Sequence, residues 1–180
     1  YKKEMLELKQ ESSRQYAEMY VRLHQAAQAL EKAAVTVKAP ESPFDGWQQE
    51  LTEQILGKKV LLKKSDIKQR FCGALTVNGD TYPGLSIAKS AKTRYFLGGS
   101  HGQETLQMLA EEAIGRGYDA EIYYDHFRPE KMIFCHLPEK SLCLLDDNYP
   151  AASSCKAAND ICHQIGQAQP MVTSAEYDHL

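Results

Sequence analysis

Apolar or small residues recur at Met5, Leu8, Ser12, Tyr16, Met19, Leu23, Ala26 and Leu30, at spacings of three and four, and no Gly or Pro interrupts residues 2–34. That period places them on one face of a single long helix. The stripe is thin and alanine-rich, so the helix needs a partner: the next helix, a neighbouring domain or a second chain. Pro40 and Pro43 separate it from a second helical pattern over residues 46–57. There Asp45 is the expected N-cap, Trp47, Leu51 and Ile55 share a face, and Gly57 marks the stop. Residues 1–57 therefore read as a helical hairpin or stalk, either docked on the rest of the chain or dimerising as a coiled coil.

From Phe71 onward the pattern is shorter and more apolar. Phe71–Val77 reads as a strand, Asn78-Gly79-Asp80 as a turn and Arg94–Leu97 as a short buried strand. A helix follows from about Glu104 to Arg116, with Leu106, Leu109, Ala110 and Ala113 inward and Gly117 as its stop. Glu121–Tyr124 is a further strand. Met132–His136 and Leu142–Leu145 are apolar runs whose link is too short for a crossover, which predicts antiparallel neighbours and a mixed sheet of four or five strands. Residues 155–167 are expected to form a helix and the last dozen a fraying end. Together these predict an α/β domain over residues 70–180, a basic connector over 58–69 and the helical hairpin over 1–57.

Length and charge narrow the picture. At 180 residues the chain holds one ordinary domain, or one with an appendage. With 43% hydrophobic and 25% charged residues it is neither collagen-like, nor a disulfide miniprotein, nor wholly disordered. No apolar stretch approaches the ~18 residues of a membrane span. The chain begins Tyr1-Lys2-Lys3 without a signal-peptide pattern, and we expect it to be a piece of a longer protein. Residues 1–70 carry 13 Lys and Arg against 10 Asp and Glu, while residues 71–180 carry 8 against 14. The acidic second part argues against nucleic-acid binding, which rests on neutralising phosphates. The basic cluster of Lys58, Lys59, Lys63, Lys64, Lys68 and Arg70 reads as a solvated connector. Five cysteines without a C-x-x-C, several in apolar runs, predict reduced core thiols and a cytoplasmic location. Cys135, His136, Cys143, Cys162, His163, His126 and Asp125 offer zinc-type ligands, but not at zinc spacing.

The chemistry gathers between Arg94 and Gly117. A buried strand, a glycine-rich turn and a helix N-terminus aim backbone N–H groups at one spot, an arrangement that favours an anion. A phosphate-binding loop, G-x-x-x-x-G-K-[ST], needs its Lys and hydroxyl at the end. With Gly102 as the second glycine, Gln103 takes the Lys position and Glu104 the hydroxyl position. With Gly98 as the first glycine and Thr105 as the hydroxyl, Gln103 replaces Gly and Glu104 replaces Lys. Asp146, closing the run Leu142–Leu145, stands where such enzymes place a Mg²⁺-positioning carboxylate, with Thr105 as the other metal-side candidate. The same text also fits the nucleophile elbow G-x-S-x-G over Gly98-Gly99-Ser100-His101-Gly102, with Asp146 or Asp147 and His163 completing a serine-hydrolase triad.

Several short segments, in order, carry a resemblance: Arg70–Thr76 with Asn78-Gly79, Arg94–Gly99, Ala110–Ala113, Arg116–Tyr123, Phe127-Arg128-Pro129, Leu137-Pro138-Glu139 and Leu144-Leu145-Asp146. Over about residues 70–150 the chain resembles the second half of an uncharacterised bacterial family, found mainly in spore-forming Firmicutes, with two phosphate-loop ATPase-like halves in tandem. The resemblance implies a phosphate-loop-type mixed sheet with flanking helices. It assigns residues 98–105 (Gly98, Gly99, Ser100, His101, Gly102, Gln103, Glu104 and Thr105) to the loop and Asp146 to the metal-side position. It makes residues 1–57 a helical insertion closing an upstream half, which is then an expected partner. The family's loop ends Gly-Lys-Ser/Thr; here it reads Gly102-Gln103-Glu104-Thr105. The expectation is a degenerate nucleotide-binding half that binds ATP–Mg²⁺ weakly or not at all, or holds only an anion. The alternatives are an active ATPase or kinase-like enzyme with an atypical loop, and the Ser100 hydrolase.

Overall fold

A computed structural model describes residues 1–34 and 47–166. The expected breakers Pro40 and Pro43, the expected cap Asp45 and the expected fraying end all lie outside the described residues. The chain divides into two compact units, Tyr1–Ala39 and Pro40–Leu180.

The described part of the first unit is one helix, α1 (Lys2–Ala34). Its apolar positions Met5, Leu8 and Tyr16 are each more than half exposed. Glu11 accepts hydrogen bonds from Arg14 at 2.9 Å and from Gln15 at 3.1 Å along the helix surface. Such exposed pairs contribute only a few tenths of a kcal/mol.

In the second unit a mixed sheet separates two helical layers. The elements are α2 (Trp47–Leu56), β1 (Ile67–Phe71), β2 (Ala74–Thr76), β3 (Gly79–Thr81), α3 (Leu85–Ser90), β4 (Thr93–Gly98), α4 (Gly102–Gly115), β5 (Ala120–Tyr124), β6 (Met132–Leu137), β7 (Leu142–Asp146) and β8 (Ile161–Gln164). Six strands form the sheet in the order β1-β5-β6-β7-β4-β8, and β2 and β3 make a separate ribbon. β6 runs antiparallel to both neighbours, as its short links require; the other pairs are parallel. On one face α4 buries Leu106, Leu109, Ala110 and Ala113 against Leu97, Ile122, Cys135 and Leu144. On the other, α3 and the 3₁₀ turns over Pro150–Cys155 cover Phe96, Cys143 and Leu145. Gly117 ends α4 at φ 87°, donating to Ile114 O while Tyr118 N–H reaches Ala113 O, the paired bonds of a Schellman stop.

The helix at 46–57 docks on the rest of the chain, one of the two expected placements: Leu51, Ile55 and Leu56 are buried in the core that α4 shares with the sheet. Other expectations change. The basic connector is exposed at Lys58, Lys59, Lys63 and Lys64, as expected, and is also anchored at several points. Leu61 N–H donates to Arg116 O, Ser65 Oγ to Ile114 O, and Lys63 pairs with Asp119 and Glu139; residues 67–70 are already strand. The single strand expected over 71–77 is interrupted at Cys72-Gly73, where a Cβ on Gly73 would stand 2.6 Å from Thr81 O, so only β2 pairs in the ribbon. The helix expected over 155–167 is absent from described residues 156–166. Asp160 accepts from Arg94 and from Ala157 N–H, and β8 takes up the open edge of β4, so ladder pairing overrides a weak local preference. Among the described residues no helix is long and apolar enough to cross a membrane.

Candidate functional site

The C-terminal ends of β4, β5 and β7 share one edge of the sheet, the side on which open α/β sheets place their ligands. β4 and β7 are adjacent and parallel with Leu97 opposite Asp146, so the expected juxtaposition of glycine-rich loop and strand-end carboxylate is present.

The loop itself is closed. Gly99 turns the chain at φ 86° and donates its N–H to Asn148 Oδ1 at 3.3 Å, while Asn148 Nδ2 donates to Gly99 O at 2.9 Å. His101 N–H donates to Ile165 O at 3.1 Å, and Ile165 N–H returns a bond to Gly98 O at 2.8 Å. Gly102 N–H is taken by Gly99 O. A Cβ on Gly99 would lie 2.4 Å from Ile165 O, so the glycine admits a neighbouring segment rather than a ligand. Thr105 is fully buried, and its hydroxyl donates to His101 O at 2.8 Å within the first turn of α4. That bond commits the hydroxyl proton to the backbone of the helix's first turn. His101 Nδ1 contacts Glu104 Oε2 at 2.9 Å. The side-chain amide of Gln103 has neither atom hydrogen-bonded.

Asp146 is fully buried. Its Oδ1 accepts Asn148 N–H at 2.9 Å, and its Oδ2 lies 3.0 Å from Lys131 Nζ at the start of β6. A buried carboxylate persists only with such partners. Asp147 pairs with Lys156 and accepts from Gln164 Nε2 at 3.3 Å. Further along the edge Asp125 is buried, accepting Phe127 N–H at 3.0 Å and Arg128 Nε at 3.2 Å. His126 sits between two carboxylates, 3.7 Å from Asp125 and 3.6 Å from Asp80 of the ribbon. Tyr82 and Tyr149 meet edge-on at 6.0 Å. Burial, then Asp125, pushes the Tyr149 hydroxyl well above its ordinary value, and burial raises Tyr82 as well. Lys131, Arg128, Asn148, Tyr82 and Tyr149 were absent from the expected site. Asp147-Asn148 after an apolar run is a turn signal, but which loop the Asn side chain would hold is a long-range fact.

The triad on Ser100 is not assembled. Neither Ser100 Oγ nor His163 Nε2 has a hydrogen-bond partner, Asp146 and Asp147 are engaged by lysines, and the His163 ring stacks on Tyr95 with centroids 5.9 Å apart. The positive φ of the turn falls on Gly99, not on Ser100, so the strained conformation of an elbow nucleophile is missing. The zinc-type residues do not converge: among the described residues no three His, Cys, Asp or Glu side chains could hold a metal. Burial pushes the Cys135 thiol up to about 12 and also pushes the Cys143 thiol well above its ordinary value, as core thiols behave. All five cysteines are free, and only Cys162 is exposed.

Among the described residues, clefts open elsewhere. One of about 340 Å³ lies between α2 and β8, lined in part by Ile165 and Gly166 of the segment that packs against the loop, and one of about 600 Å³ lies at the opposite end of β4 and β7 beside Tyr118 and Lys140. The chain matches no family model, no curated protein and no solved structure.

Proposed function

We propose that the chain is a phosphate-loop-type domain whose nucleotide site has lapsed, serving as a structural or regulatory half of a larger ATPase-like protein. The observation that carries this reading is the use of the site's own groups inside the fold. The amides of Gly99 and His101, which a working loop would turn on phosphate oxygens, donate to Asn148 and Ile165. Asp146, beside the loop strand where Mg²⁺ would be positioned, is matched by Lys131. Gln103 and Glu104 supply no cation, and phosphoryl transfer depends on such electrostatic terms. In this reading α1 is the arm that meets the upstream half or a second chain.

Calorimetric titration with ATP and Mg²⁺ tests it. No saturable heat is expected up to about 1 mM. Micromolar, Mg²⁺-dependent binding lost in Asp146→Asn, with turnover, would instead support the active enzyme. Installing the missing groups gives the second arm. Gln103→Lys with Glu104→Thr, or Gln103→Gly with Glu104→Lys in the other register, should raise affinity by roughly tenfold to a hundredfold through one charge-assisted bond. If neither does while both stay folded, the loop is not a lapsed phosphate site. Covalent labelling of Ser100 by a fluorophosphonate would favour the hydrolase.

A further inference from the structure

We propose that the outer edge of β1 is a docking site for an extended polypeptide segment that alternates apolar and acidic residues and adds a strand to the sheet. β1 ends the strand order and pairs only with β5 among the described residues. Ala120 N–H donates to Asp66 O and Cys72 N–H to Tyr124 O. The two-residue period of a parallel ladder then turns the backbone groups of Lys68 and Arg70 toward β5, and those of Ile67, Gln69 and Phe71 outward. An edge of this kind is a template for strand addition.

The side chains say what kind of strand fits. All five residues of β1 are exposed, on both faces. Ile67 and Phe71 lie on the face of Ala120 and Tyr124 and are 46% and 57% exposed. Lys68 and Arg70 lie on the other face, about half exposed, and share Glu121 of β5 at 3.8 and 3.9 Å. An incoming strand therefore gains apolar contact on one face and opposite-charge pairs on the other, continuing the ladder that Glu121 begins. A second copy, related by a two-fold axis normal to the sheet and centred on Gln69, would set Lys68 against Arg70 of the second copy. Like charges directly opposite are destabilising, so the self-pair is disfavoured. The inference uses no part of the loop and stands whether or not nucleotide binds.

The test uses the whole chain and a fluorescent, end-blocked peptide alternating valine and glutamate, with an alternating valine and lysine peptide as control. Anisotropy should rise saturably with the glutamate peptide, and the lysine peptide should bind about tenfold more weakly or worse. Amide exchange at Ile67, Gln69 and Phe71 should slow on binding. Gln69→Pro removes an outward N–H while leaving the β5 ladder intact, and should abolish binding. Lys68→Glu with Arg70→Glu should reverse the preference to the lysine peptide, which keeps the test informative if the proline variant unfolds. No binding at about 1 mM, equal binding of both peptides, or full binding by a folded Gln69→Pro would overturn the proposal. So would concentration-dependent dimerisation that Gln69→Pro removes, because the occupant would then be a second copy.

Discussion

The loop after β4 and the outer edge of β1 hold the same chemical groups under opposite conditions. In the loop, the N–H groups of Gly99, His101 and Gly102 find acceptors in Asn148, Ile165 and the turn itself. Along β1, alternate backbone groups face outward with no strand against them among the described residues. A buried amide without a partner costs far more than an exposed one, because water satisfies only the latter. The glycine-rich segment, where sequence chemistry points, is thus closed by its own fold, while the basic segment that reads as a connector ends in a strand with one unpaired edge among the described residues.

Substitutions can sharpen the contrast. The largest effect is expected for Gly99→Ala, which forces a side chain at φ 86° against Ile165 O. We expect a loss of about 4 kcal/mol in urea denaturation. Lys131→Ala should come next, at about 3 kcal/mol, since it strands the Asp146 carboxylate; Asp146→Asn in the same chain should recover part of the loss. Gly79→Ala, in the exposed β2–β3 ribbon, has a similar φ of 98° but open space around it, so only the backbone penalty of about 1 kcal/mol applies. If Gly99→Ala and Gly79→Ala cost the same, the loop is not closed as described.

The smallest effect concerns acid. Asp119, where the 58–69 segment docks, accepts Asp66 N–H and pairs with Lys63, which hold its carboxyl below its ordinary value of 3.8. A depressed carboxyl contributes stability that is present above the unfolded value and lost as pH falls through the folded one. Asp119→Asn should therefore flatten the acid limb of stability slightly and leave neutral pH little changed, as thermal melts across that range would record.

Much of the frame was legible before the structure. The 3–4 spacing in α1 and α4, the stop at Gly117, the antiparallel β6–β7 pair and the strand-end Asp146 all follow from local pattern and link length. What local pattern misread or left open has a shared reason. β8 exists because β4 offers an edge to Ile161–Gln164, and α2 lies in the α/β core because its face of Leu51, Ile55 and Leu56 meets α4 there; neither partner is within a few residues.

The sequence by itself determined the class of fold and the chemical poverty of the loop, because helical period, strand length and the identities of Gln103 and Glu104 are local properties. Only the tertiary structure decided what the site's polar groups are for. Whether an amide faces a ligand or an asparagine from another strand end, and whether Asp146 faces a metal or Lys131, depends on where distant segments pack. That packing is driven by apolar burial, whose direction no local pattern encodes, and the polar groups then pair with whatever it brings beside them.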